Sequence, residues 1–113
     1  MSNVKILLDT FSTADAEHVT FSFDGVDLRV TFVDWSGMTN EVQFPECELF
    51  RWDNYTPHDG IRDDAPHEIF SSKEIAYLEL PEDEYHHYVL CFNAETDMVI
   101  ISKSFVARVV EKT

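Results

Sequence analysis

The chain has 113 residues, 44% of them hydrophobic and 13% aromatic, and carries 22 acidic against 8 basic side chains for a formal net charge of −14. That length suits a single domain spanning residues 1–113, and that apolar content excludes a disordered chain. The charge excludes nucleic acid and anionic membrane surfaces as partners and favours a basic one.

The excess is unevenly placed. From Glu41 to Asp97 there are 15 carboxylates and 3 cations, so that stretch alone supplies −12. From Met98 to Thr113 the balance reverses, with Glu111 against Lys103, Arg108 and Lys112. The apolar stretches are too short to span a bilayer, and the N-terminal MSNVKILLDT does not read as a signal peptide. A cytoplasmic protein is expected.

In chain order, Val4 to Leu8 is too short for its period to separate strand from helix. Ser12 to Glu17 has room for a helical turn. Val19, Phe21 and Phe23 alternate with polar residues, and so do Leu28, Val30 and Phe32. Asp24-Gly25 between them suits a two-residue type I′ turn, which predicts a hairpin over 18–33. Asp34 to Asn40 reads as a connection. Val42 and Phe44 begin a third strand, which Pro45 ends. Leu49 to Tyr55 predicts a fourth, with Phe50 and Trp52 in phase. Trp52 is expected in the core, and Trp35 stays open between core and interface anchor.

Residues 54–67 form the longest loop, rich in Pro, Gly and Asp. Ser71 to Glu74 has the spacing of a capping box, with Ser71 at the N-cap, and predicts a short helix ending before Pro81. Pro81 to Glu84 reads as an acidic turn. Tyr85 to Asn93 is the strongest strand. Tyr88, Leu90 and Phe92 share one face and Val89 and Cys91 the other, so it should be central and covered on both sides. Met98 to Val110 reads as one long strand returning antiparallel to it. The sum is an α+β domain, mainly antiparallel sheet of about six strands, with one or two short helices. Cys47 and Cys91 fall in predicted strands and read as buried reduced thiols.

No pattern for catalysis emerges. The histidines are His18, His58, His67, His86 and His87, and no HxH, HExxH or CxxC spacing joins them to each other or to the cysteines. His86 and His87 are adjacent in a strand and point to opposite faces. An EF-hand with Gly60 at its sixth position would start at Tyr55 and end at Pro66, and fails. The acidic pairs Asp63-Asp64 and Asp83-Glu84 lie in polar segments, without the burial that shifts a catalytic pKa. Three glycines, Gly25, Gly37 and Gly60, build no phosphate loop. Neither an enzyme nor a bound cofactor is expected.

Three segments, Ala14-Asp15-Ala16-Glu17-His18-Val19, Phe50-Arg51-Trp52 and His87-Tyr88-Val89-Leu90-Cys91-Phe92-Asn93, resemble small β-rich bacterial proteins grouped with toxin-immunity families. The resemblance implies a cytosolic protein that neutralises a toxin, and carries no functional residues with it. The charge independently suggests steered association with a basic protein. The contact surface is then expected around Asp59, Asp63, Asp64, Glu68, Glu82, Asp83 and Glu84. Two other readings stay open. One is a small-ligand or metal-binding module using the 54–68 loop. The other is a homo-oligomer pairing through its C-terminal strand.

Overall fold

In a computed structural model of the protein, the structure describes residues 4–7, 10–53, 64–92 and 97–112. Nine strands and one helix follow in the order β1 Val4–Ile6, β2 Glu17–Phe23, β3 Leu28–Val33, β4 Met38–Phe44, β5 Leu49–Asp53, β6 Pro66–Ile69, α1 Lys73–Tyr77, β7 His86–Cys91, β8 Asp97–Ser102 and β9 Val106–Lys112. They form a five-stranded sheet, β1-β6-β7-β8-β5, and a four-stranded sheet, β2-β3-β4-β9. Every pairing is antiparallel.

The alternating residues decide how the two sheets meet. Leu28, Val30 and Phe32 of β3, with Val42 and Phe44 of β4, share one buried cluster with Tyr88 and Leu90 of β7 and Met98 and Ile100 of β8. Aromatic rings bridge the layers, with Phe32 and Phe92 at 5.5 Å between centroids and Phe44 and Tyr88 at 5.7 Å. Each such fully buried side chain contributes roughly 1.5–3 kcal/mol. The shortest molecular extent, 22 Å, is what two sheets packed ~10 Å apart require. The segment before β2 closes one end of this core: Phe11 and Ala16 are buried in it, and Thr13 donates its hydroxyl to the Cys91 carbonyl at 2.7 Å.

As its two apolar faces require, β7 lies at the centre of the larger sheet. Its second face carries Val89 and Cys91, which cluster with Val99 and with the half-buried Leu49 and Ile69. The β7–β8 hairpin forms with Val89 opposite Val99.

The molecule is mostly antiparallel β, with nine strands where the alternation suggested about six, and a single five-residue helix among the described residues. Three local differences account for the extra strands. The run Met98–Val110 is broken at Lys103–Phe105, so β8 joins one sheet and β9 the other. Phe105 is the pivot, its ring packing against both Phe44 and Tyr88. Pro66–Ile69, read as the end of a loop, is β6, with Pro66 opposite Leu90. Val4–Ile6 pairs with β6.

Turn chemistry shifts other boundaries. Phe23 pairs with Leu28, so the hairpin loop holds four residues rather than two. Asp24 explains this: its carboxylate accepts the N–H groups of Val26 and Asp27 at 2.9 and 2.7 Å, leaving only Gly25 with positive φ. The next connection is shorter than expected, and β4 already begins at Met38. There Asp34 accepts from the Ser36 and Met38 N–H groups, and Asn40 donates to its second oxygen at 2.7 Å. Partial burial works against ionisation of Asp34, but these donors outweigh it and hold the carboxyl below its usual range. The N-cap of α1 is Ser72, one residue later than expected, because its hydroxyl accepts the Ile75 N–H while Ser71 turns left-handed at φ 53°.

Candidate functional site

One end of the sandwich gathers turns that are far apart in sequence. The β2–β3 loop brings Asp24 and Asp27, the β4–β5 connection brings Glu46 and Glu48, and the turn before β7 brings Glu82, Asp83 and Glu84. A chain of contacts shows that they are neighbours. The Glu46 N–H donates to the Asp27 carboxylate at 3.0 Å, and the Cys47 N–H to the Val26 carbonyl at 2.7 Å. Lys103, in the break between β8 and β9, meets the Glu46 carboxylate at 3.3 Å and sits 5.7 Å from the centre of the Tyr85 ring. The Tyr85 hydroxyl in turn donates to Glu48 at 3.3 Å.

This end is strongly anionic. Asp24, Asp27, Glu46, Glu48, Glu82, Asp83 and Glu84 are all exposed, and Lys103 is the cation that the described contacts place among them. The hydrogen bond and charge of Glu46, with smaller help from Tyr85 and Glu84, favour the charged form of that lysine and raise its pKa. Tyr85 shifts upward too, from desolvation first and the Glu48 carboxylate second. Asp24 is held below the usual carboxylate range by the Asp27 and Val26 N–H groups. Two recesses open here. One of about 220 Å³ is lined by Glu82 and Asp83 over the apolar Phe70 and Ile75. Another of about 180 Å³ lies between Val26, Glu46 and Glu48. Shallow, carboxylate-rimmed recesses with some apolar floor suit lysine or arginine side chains, whose stems are apolar and whose heads are charged.

The expected contact residues divide. Glu82, Asp83 and Glu84 lie on this end. Glu68 lines the larger recess, but its carboxylate is committed to His86 Nδ1 at 2.7 Å. Asp64 precedes β6 and lies near Leu90, at the opposite end of that strand and roughly 15–20 Å away at ~3.3 Å per residue. Asp59 and Asp63 lie outside the described residues, as do His58 and most of the 54–68 loop proposed for a ligand or metal. Asp24, Asp27, Glu46 and Glu48 were not singled out from sequence. Each is an ordinary turn acid there, and only the folding of three connections onto one end assembles them.

The cations nearby are engaged elsewhere. Arg29 and Arg108 clamp Glu41 on the outer face of the smaller sheet, with Arg29 Nε at 2.7 Å and Arg108 Nε at 2.6 Å. Arg51 forms a two-pronged pair with Glu74 at the start of α1. With the arginine hydrogen bonds directed to the sheet faces, the end turns keep an excess of carboxylates over cations.

The histidines do not converge. His86 stacks on Tyr88, while His87 turns to the other face and hydrogen-bonds the Ser72 hydroxyl at 2.7 Å through Nδ1. The same Ser72 hydroxyl also accepts the Ile75 N–H, so it ties the helix start to His87. Burial, ahead of the opposing Glu74 charge, lowers the His87 pKa. His67, expected in the loop, is fully buried on β6 with Nδ1 3.2 Å from the Val89 carbonyl. Among the described residues no three His, Cys, Asp or Glu side chains are grouped to hold a metal. Cys47 and Cys91 are buried outside any disulfide, and burial pushes the Cys47 thiol up to about 11. Cys47 lies in the β4–β5 connection rather than in a strand. Trp52, expected in the core, is instead 38% exposed, because it sits on the outer strand β5 with its ring 6.2 Å from Phe92, and Trp35 is 68% exposed in the β3–β4 turn. No helix among the described residues is long and apolar enough to cross a membrane.

Compared with known proteins, the chain matches no family model, no curated protein and no solved structure.

Proposed function

We propose that this chain is a non-enzymatic binding protein that captures a basic protein partner on its acidic end. The observation that carries this reading is the convergence of carboxylates from three connections around Lys103. A concentrated field of one sign raises the arrival rate of an oppositely charged protein by about 10–10³-fold and rejects partners of the same sign. The partner is a cationic toxin in this reading, which would make the chain an immunity-type inhibitor. That is also what its resemblance to β-rich toxin-immunity proteins implies.

The test is capture of proteins from a lysate of the source organism on the immobilised chain, at about 0.05 M and about 0.5 M salt, where the Debye length falls from roughly 14 Å to roughly 4 Å. A parallel column carries the variant Glu82→Gln, Asp83→Asn, Glu84→Gln. A basic protein held by the native chain at low salt, and lost both at high salt and on the variant, is the expected result. Co-expression then asks whether the captured protein arrests growth and whether this chain restores it. Equal capture by the variant would overturn the choice of surface. A captured protein that does not harm growth would remove the toxin and leave the binding.

A further inference from the structure

The four outer strands differ in how they are protected. Lys5 lies in the middle of β1, Arg51 on β5 is paired to Glu74, and β9 carries the exposed Arg108. Charges on an edge strand discourage another chain from pairing with it. The fourth outer strand, β2, pairs with β3 on one side and with no strand on the other among the described residues. Its segment Thr20-Phe21-Ser22-Phe23 carries no charge and no proline. A register shift lies before Thr20, with His18 at φ 54°, so the regular edge is confined to these four residues.

The same segment exposes aromatic surface. Phe21 and Phe23 are 46% and 42% exposed, and their rings rest on Phe50 at 5.5 and 5.1 Å. Immediately after Phe23 the chain enters the acidic end at Asp24 and Asp27. A recess of about 230 Å³ beside Ser22, Asp24 and Asp27 also holds Arg29, whose guanidinium is turned to Glu41. An uncharged strand edge, two half-exposed rings and a flanking field of carboxylates therefore occupy one continuous surface among the described residues.

We infer that β2 accepts an extended, basic segment of the partner as an added fifth strand of the smaller sheet. Backbone groups of Thr20 to Phe23 that face away from β3 pair with the incoming strand. Its apolar side chains cover Phe21 and Phe23, and its cations reach the acidic end. Charge selects this occupant over a second copy of the chain. Two molecules of net charge −14 repel, and antiparallel pairing of two β2 strands would turn the Glu17 end of each toward the Asp24 end of the other. This inference rests on the basic-partner reading above, and its experiment separates the two.

The probe is a synthetic peptide of about ten residues alternating lysine and valine. It is titrated into the native chain at low salt while the backbone amides are followed by nuclear magnetic resonance. Binding with shifts centred on Thr20 to Phe23 is expected. A second peptide of the same sequence, N-methylated at alternate residues on one edge, keeps the charge but cannot pair along that edge, and a set covering both edges is used. The blocked peptide that faces β2 should bind about tenfold more weakly, the loss expected when two or three hydrogen bonds are removed. Ser22→Lys, on the outer sheet face, should weaken the native peptide by a similar factor without changing the circular dichroism spectrum. Phe23→Ser should do the same, and Ser22→Lys keeps the test valid if that variant unfolds.

Equal affinity for the native and blocked peptides would overturn strand addition and leave capture by the acidic end standing. Failure of both peptides to bind would overturn both readings. A concentration-dependent dimer in the native chain, abolished by Ser22→Lys, would give the edge to a second copy instead.

Discussion

Polar groups on the two sheet faces and polar groups on the acidic end live under different rules. On the faces they are matched. Glu41, its side chain 8% exposed, lies between Arg29 and Arg108; Arg51 is forked onto Glu74; His87 is bonded to Ser72. At the end, Glu82, Asp83 and Glu84 are exposed, and the nearby cation Lys103 is already paired with Glu46. Burial explains the difference. A carboxylate removed from water must be met by a partner, whereas one in water can remain uncompensated at little cost. Surface repulsion accumulates where it can be tolerated, and a binding surface of one sign results.

The largest expected break of this contrast is Glu41→Gln. It removes a nearly buried charge from between two guanidinium groups and should lower unfolding free energy by about 2 kcal/mol, less than a fully buried pair would lose because both arginines are half-exposed. Urea unfolding measures it, and a loss within experimental error would show that the clamp is only incidental.

Ser72→Ala should cost about 1 kcal/mol in the same assay, since it takes away the N-cap of α1 as well as the partner of His87. The burial of His87 also predicts a pH dependence. Burial holds His87 below its ordinary value of 6.5, so the unfolded chain takes up that proton first as pH falls. The contribution is present above about pH 6.5 and is lost progressively below it. Between pH 7 and pH 5 the native protein should lose stability relative to His87→Gln. The comparison cancels the protonation of carboxylates common to both proteins, and parallel curves would place no linkage at His87.

Salt acts on the other member of the comparison. About 0.5 M sodium chloride should raise Tm by about 3 °C as repulsion at the acidic end is screened. The variant Glu82→Gln, Asp83→Asn, Glu84→Gln should show a smaller increase. The smallest effect is that variant's own stability at moderate salt, expected within about 0.5 kcal/mol of the native protein. A clear loss would mean that this turn holds the fold as well as its field.

The period-two pattern made much of the core legible. Leu28, Val30 and Phe32 alternate inward as read, and Tyr88, Leu90 and Phe92 occupy one face of a central strand. Pro45 ends β4 because it cannot donate to the ladder. Short or interrupted strands were not legible. Pro66–Ile69 has four residues and a proline, and its place is set by β7 rather than by its own propensity. Met98–Val110 reads as one strand until Phe105 turns into the core and hands the chain to the other sheet. At the site, Glu82 to Glu84 were visible as a run, whereas Asp24, Asp27, Glu46 and Glu48 were not.

The sequence by itself determined the antiparallel β character, the core residues of the central hairpins and an excess of negative charge, because alternation and composition are properties of the chain. Tertiary structure alone decided which acids share an end, which arginines are consumed by Glu41 and Glu74, and which uncharged strand lies at a sheet edge among the described residues. Those outcomes depend on the order of strands in two sheets, and strand order follows from long-range pairing that no local pattern encodes.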